Sequence, residues 1–334
     1  MNYYGFNFLW MFAKYNENAK PTEPNLTELD FVASEGFNFV RIPTDYKFWT
    51  NGFDYYHPDE EVLKLIDRYI EACNSRGLHA SLNIHRAPGY CINSPEKEIH
   101  NLWRDEEPLD AFIFLWKMFT ERYKHIPSSQ LSFDLINEPC DRSPTHPCTR
   151  DDHEKVIRKT IDAIHALDPD RQIIIDGFNG GGSALPELAD VDAIHSGRGY
   201  EPFQVSHYQA SWVKGADKLD MPEYPGMVSK EKYCDIDTLR KYYQPWIDLE
   251  KKGVRVHIGE FGAFNKLPND IALRWLQDLM IIYKENNWGY SLWNFKGTFG
   301  IVEHGRPGAK YEMYKGLNVD MEMLEIYKSG IRLE

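Results

Sequence analysis

The stretches LSFDLINEP (residues 131–139) and VRVHIGEFG (residues 254–262) decide how this chain is read. Each is a largely apolar run of strand length that finishes on a carboxylate, Glu138 or Glu260, and is then broken by Pro139 or Gly262. Charge is poorly solvated at the tip of a buried strand, so a glutamate placed there points to chemistry. Two such glutamates on different strands predict a pair of carboxylates facing each other across a cleft, the arrangement that cleavage of a glycosidic bond requires.

Outward from these two runs, strand-like and helix-like segments alternate. Strands are predicted over 3–9, 37–42, 78–84, 131–136, 172–176, 191–196, 254–258 and 290–294. Helices are predicted over 27–35, 58–76, 109–124, 151–167, 186–189, 238–251, 270–284 and 321–329. The second helix carries Val62, Leu65, Ile66, Tyr69 and Ile70 at helical period. Gly36, Gly77 and Pro169 act as stops. Eight strands separated by helices predict an α/β chain folded as one (β/α)8 barrel domain over residues 1–334. Function in that architecture sits at the C-terminal ends of the strands. There the chain places Arg41, His85, Asn137, Glu138, Tyr200, Glu260 and Trp293. Residues 197–233, after strand six, form an extended loop too long for a plain barrel turn. Its Tyr208, Trp212, Tyr224, Pro222 and Pro225 suggest a wall of the cleft, and Trp49, Trp103 and Tyr90 are read either as further cleft residues or as packing. A glycine cluster, Gly180 to Gly182, makes the loop after strand five.

A net charge of −13 opposes nucleic acid or an anionic membrane as partner. Nine Trp and twenty Tyr suit either an aromatic core or a cleft that stacks sugar rings. Five cysteines leave at least one thiol free; Cys140 and Cys148 are near enough in sequence for a bridge, which spacing alone does not establish. No CxxC pair occurs, so no zinc or redox site is expected. The apolar start YYGFNFLWMFA lacks a basic leader region and is read as the first strand. The expected location is the cytoplasm, or outside the cell after removal of a leader, and a monomer is expected.

Taken together, LINEP, HIGEFG, FVRIP, LNIHRAPGY and SLWNFKGTFG resemble the motif set of glycoside hydrolase family 5, over essentially the whole chain. HRAPGY (85–90) and SHYQASW (206–212) are similar to segments of its compact endoglucanases. The resemblance implies a retaining β-glycosidase acting on β-linked glucan, β-1,4 or mixed-linkage, with Glu138 as acid/base and Glu260 as nucleophile and no cofactor or metal. It implies that Arg41 orients the nucleophile, that Tyr200 bonds its second oxygen, that His85 and Asn137 hold sugar hydroxyls, and that Trp293 forms a platform. His207 and Trp212 join the substrate-binding set. Asn137 by itself also reads as a structural amide, and His85 as a core histidine.

One position departs from the family pattern. Where a histidine usually stands two residues before the tyrosine, this chain has Arg198. Arginine is always charged and only donates. It either bonds Glu138, binds an acidic sugar, or swings out and leaves the space to His195 or His207. Three rivals to the glucanase reading remain: a β-mannanase, a non-catalytic carbohydrate-binding barrel, and a metal-dependent barrel enzyme with His85, Glu138, His207 and Glu260 as ligands.

Overall fold

Eight parallel strands close on themselves in a computed structural model that describes residues 2–92, 98–143 and 146–332. They are β1 (Tyr4–Asn7), β2 (Phe39–Asp45), β3 (His79–Arg86), β4 (Leu131–Asp134), β5 (Ile173–Asp176), β6 (Ile194–Gly199), β9 (Arg255–Phe261) and β10 (Gly289–Leu292). Each pairs with its sequential neighbour in the barrel, and β10 pairs with β1 to close it. Strands covered on both faces lie out of solvent, and their polar side chains must then find partners inside the protein. Apart from Arg255 at the start of β9, the barrel strands are indeed buried along their whole length. The predicted (β/α)8 barrel is therefore the observed fold, with strand positions matched to within a few residues.

Helices α1 (Leu26–Ser34), α2 (Glu60–Asn74), α3 (Glu106–Tyr123), α4 (Arg150–His165), α6 (Ile236–Glu250), α7 (Asn269–Glu285) and α8 (Met321–Ser329) cover the barrel. Their starts follow local chemistry. The Asp59 side chain accepts from Glu61 N ahead of α2, and Thr149 with Asp152 forms a reciprocal capping box at α4. The α2 residues at helical period, Leu65, Ile66, Tyr69 and Ile70, are its buried face. Among the described residues no helix is long and apolar enough to cross a membrane.

The loop after β6 is more ordered than its composition suggested. It holds the short helix α5 (Phe203–Ser206) and a hairpin of β7 (Gly226–Ser229) and β8 (Lys232–Cys234). A second hairpin, β11 (Tyr311–Tyr314) with β12 (Leu317–Asp320), lies between β10 and α8. Lys315 and Gly316 turn it with φ of 47° and 82°, both in the left-handed region that such a two-residue loop needs. All five cysteines are buried and none is in a disulfide, and the Cys148 thiol donates to the Cys140 carbonyl instead of forming a bridge.

Candidate active site

The middle of β2 and the C-terminal ends of β4, β5, β6 and β9 deliver two arginines and four carboxylates to one buried cluster. Arg41, at the middle of β2, fans its guanidinium across the barrel. Its Nε donates to Asp134 Oδ2 at 2.5 Å, Nη1 to Glu260 Oε1 at 2.6 Å and to Asn7 Oδ1 at 3.0 Å, and Nη2 to Asn137 Oδ1 at 3.1 Å. Burying a guanidinium is tolerable only when carboxylates and amide oxygens take its donors in this way. Glu260, on β9, accepts from Arg41 on Oε1 and from the Tyr200 hydroxyl on Oε2 at 3.0 Å, so both of its oxygens are occupied.

Glu138 lies just past β4 with a φ of 51°, an uncommon conformation for a side-chain-bearing residue. The flanking bonds hold it there: its N–H donates to Asp176 Oδ2 at 3.0 Å, and its carbonyl accepts from the Tyr90 hydroxyl at 2.7 Å. Burial, reinforced by the nearby charge of Glu260, pushes the Glu138 carboxyl up to about 7 although Arg198 pulls the other way. Burial likewise pushes Asp134 up to about 7 against the pull of Arg41. The opposite holds for Asp176, where the Arg198 and Arg41 charges outweigh burial and keep the carboxyl below its ordinary value.

His85 sits beside this cluster rather than within it. Burial and the charges of Arg41, Arg86 and Arg198 hold it well below the ordinary histidine value, so the ring is neutral. Asn83 donates its amide to the Asp134 carbonyl and turns its Oδ1 to His85 Nδ1 at 3.2 Å. The proton therefore belongs on Nδ1, which leaves Nε2 as an acceptor. The His85 ring stacks on Trp293 at 5.5 Å between centroids, and Phe12 meets both rings edge-on.

The expected site residues thus fall into three groups. Glu138, Glu260, Arg41, Asn137, Arg198 and Tyr200 share one hydrogen-bonded network, and His85 with Trp293 adjoins it. His207 and Trp212 lie on the loop after β6 and adjoin the network through Tyr200, whose ring meets that of His207 edge-on at 5.1 Å. His207 stacks on Phe203 at 4.3 Å, while Trp212 packs edge-on against Phe264 at 4.7 Å and remains 51% exposed. Trp49 and Trp103 are buried packing residues, and Tyr90 is buried as well but holds the Glu138 carbonyl through its hydroxyl. Tyr208 and Tyr224 are also buried, whereas Phe203 and Tyr233 of the same loop are exposed. Asp134, Asp176 and Asn7 belong to the network and were missed, although an acid closing the runs LSFD and IIID carries the same signal that singled out Glu138. Among the described residues no group of three or more His, Cys, Asp or Glu is arranged to hold a metal ion.

A closed parallel barrel with carboxylates and arginines gathered at the C-terminal rim is the architecture of a glycoside hydrolase. Residues 1–298 match Cellulase (glycosyl hydrolase family 5), and the chain belongs to that family. Endoglucanase C of Acetivibrio thermocellus is 26% identical over 311 residues, covering 86% of this chain and 88% of the relative. A crystal structure of a glycoside hydrolase is 53% identical over 99% of both chains, with a TM-score of 0.95. Cel5A of Thermotoga maritima, solved with cellobiose, shares the fold at a TM-score of 0.78 and 24% identity, over 97% of this chain and 95% of that one.

Proposed function

We propose that the protein is a retaining, endo-acting hydrolase of β-linked glucan, β-1,4 or mixed-linkage, with residues 1–334 forming one catalytic domain. The observation that carries this reading is the asymmetry of the two glutamates. Glu138 is pushed up to about 7 by burial and by Glu260, whereas Glu260 has both oxygens held by donors from Arg41 and Tyr200. Two carboxyl groups whose surroundings separate them in this way divide the labour of acid and nucleophile.

In the first step Glu138 gives its proton to the glycosidic oxygen while a Glu260 oxygen attacks the anomeric carbon, and the leaving chain departs as an alcohol. In the second step water attacks the same carbon. Glu138 takes the water's proton, and the bond to Glu260 breaks with its electron pair returning to the carboxylate. This double displacement operates when the carboxyl groups lie about 5–5.5 Å apart. The short separation is supported by the way both glutamates bond neighbouring donors of one guanidinium, Arg198 Nε at 2.9 Å and Nη2 at 3.2 Å. Arg41 orients Glu260, Trp293 offers a face to the sugar ring, and His85 Nε2 and the Asn137 amide nitrogen are placed for hydroxyl groups. The endoglucanase name of relatives such as that of Acetivibrio thermocellus favours glucan over mannan as the substrate.

A hydrolysis panel of cello-oligosaccharides, mixed-linkage glucan, xyloglucan, mannan and glucomannan, with product lengths recorded, tests the assignment. Internal cuts in cellulosic or mixed-linkage chains are expected. Turnover confined to mannan, or release of single sugars from chain ends only, overturns it.

A further inference from the structure

Arg198 is 2% exposed, and the whole of its donor capacity is taken up by protein groups. Its Nε donates to Glu138 Oε1 at 2.9 Å. Nη1 reaches Asp176 Oδ1 and Ser196 Oγ, each at 3.0 Å. Nη2 reaches Asp176 Oδ2, Asn137 Oδ1 at 3.0 Å and Glu260 Oε1 at 3.2 Å. A guanidinium has five N–H bonds, so none is left for a sugar. That removes the reason to treat Arg198 as a ligand for an acidic substrate.

The fold invests in this placement. Pairing of β6 with β9 slips between Gly197 and Arg198, and the slip sets Arg198 opposite Glu260. The slip leaves Gly259 of β9 without a partner on β6, and a bulge of this kind re-aims the side chain beside it, here Glu260, toward an arginine that shares its face of β6 with Ser196. The glycine loop after β5 makes room for the arginine stem: Gly181 has a φ of +74°, a Cβ there would run into Arg198 Cγ, and its carbonyl accepts from Arg198 N at 3.1 Å. Asp176 binds the far edge of the guanidinium and also accepts the Glu138 backbone N–H.

We propose that Arg198 is a positioning residue for both glutamates, fixing which oxygen of Glu138 carries the transferred proton and tying that carboxyl to the charge of Glu260. This rests on the acid/base and nucleophile roles given above. Since Arg198 Nε–H can only donate, Glu138 Oε1 must remain an acceptor, and the proton resides on Oε2. It leaves Oε2 for the glycosidic oxygen in the first step and is replaced there by a proton from water in the second. Once Glu260 is esterified by the sugar it carries no charge. Arg198 then faces one counter-charge fewer and favours the Glu138 carboxylate, the form needed to accept the water's proton. The other groups facing Glu138 are Asp176, Glu260, Tyr90 and Tyr200, with Arg41 one residue removed through Asn137.

Carbon-13 NMR of glutamate carboxyls tests this without turnover, with the Glu138 signal identified by its loss in Glu138→Gln. In Arg198→Met the Glu138 titration midpoint is expected to rise by about 1 pH unit or more, the usual effect of losing an adjacent opposite charge. The alkaline limb of kcat/KM on cello-oligosaccharides should move with it. Arg198→Lys, which keeps the charge but not the fork, should return the limb toward wild type with a lowered kcat. A limb displaced as far as in Arg198→Met overturns the charge linkage. An unmoved Glu138 midpoint in folded Arg198→Met overturns the proposal. If that variant does not fold, Gly181→Ala displaces the arginine stem instead; the same rise is expected, and an unmoved midpoint there overturns the proposal equally. Failure of the glycosidase reading shows separately, as a wild-type protein inactive on every glycan of the panel.

Discussion

Replacing Glu138 by Gln should stabilise the protein, and by an amount that depends on pH. The carboxyl is raised from an ordinary value of 4.5 to about 7, chiefly by burial. Its side chain is only 15% exposed, so solvent offers little relief. A raised carboxyl favours the folded state only while it is protonated. Its contribution is intact below pH 4.5 and is lost as the pH rises through 7. At about 1.4 kcal/mol per pH unit, the rise corresponds to about 3 kcal/mol by pH 8. Gln keeps an oxygen to accept from Arg198 Nε and has no proton to lose. The stability difference between Glu138→Gln and wild type should therefore grow from its pH 4.5 value by about 3 kcal/mol and level off above pH 7. Asp134, also raised to about 7, gives both proteins a similar slope, so the difference isolates Glu138. Urea unfolding at intervals from pH 4.5 to 8.5 measures it. A difference that stays flat across that range refutes the argument that burial holds the carboxyl protonated.

Other consequences concern the partners of the pair. Glu138→Ala should lose most activity on polysaccharide, by roughly 10²–10⁴-fold, the usual contribution of a general acid. It should retain far more on aryl glycosides whose leaving group needs no proton; equal losses on both substrates contradict the acid role. Arg41→Met strips the buried Asp134 and Glu260 of a shared cation and should cost about 3–5 kcal/mol at neutral pH. Because Asp134 is already raised and loses a cation in this variant, protonation should recover part of the deficit by pH 5, which denaturant unfolding at the two pH values checks.

The barrel was legible because its strands are short apolar runs and its helices carry an apolar face at helical period, stopped by residues such as Gly36 and Gly77. The rim was legible for the same reason: a polar side chain ending such a run is costly to bury unless it meets partners there. Asp134 and Asp176 carried that signal too, but no sequence pattern states that two arginines will cross the barrel to meet them. The role of Arg198 was open for a related reason. Its meeting with Glu260 depends on a one-residue slip between β6 and β9, which is a property of pairing and not of composition. Trp49 and Trp103 stayed open between the two readings because an aromatic ring reads alike whether it lines a cleft or fills a core. The hairpin of β11 and β12 escaped because Lys315 takes the left-handed turn position where asparagine or aspartate would have announced it.

The central claim is that Glu260 attacks the sugar directly while Glu138 handles the proton. Proton NMR of the first product released from a cello-oligosaccharide, recorded before mutarotation, tests it most directly. The account predicts that the new reducing end appears as the β-anomer; initial appearance of the α-anomer contradicts it.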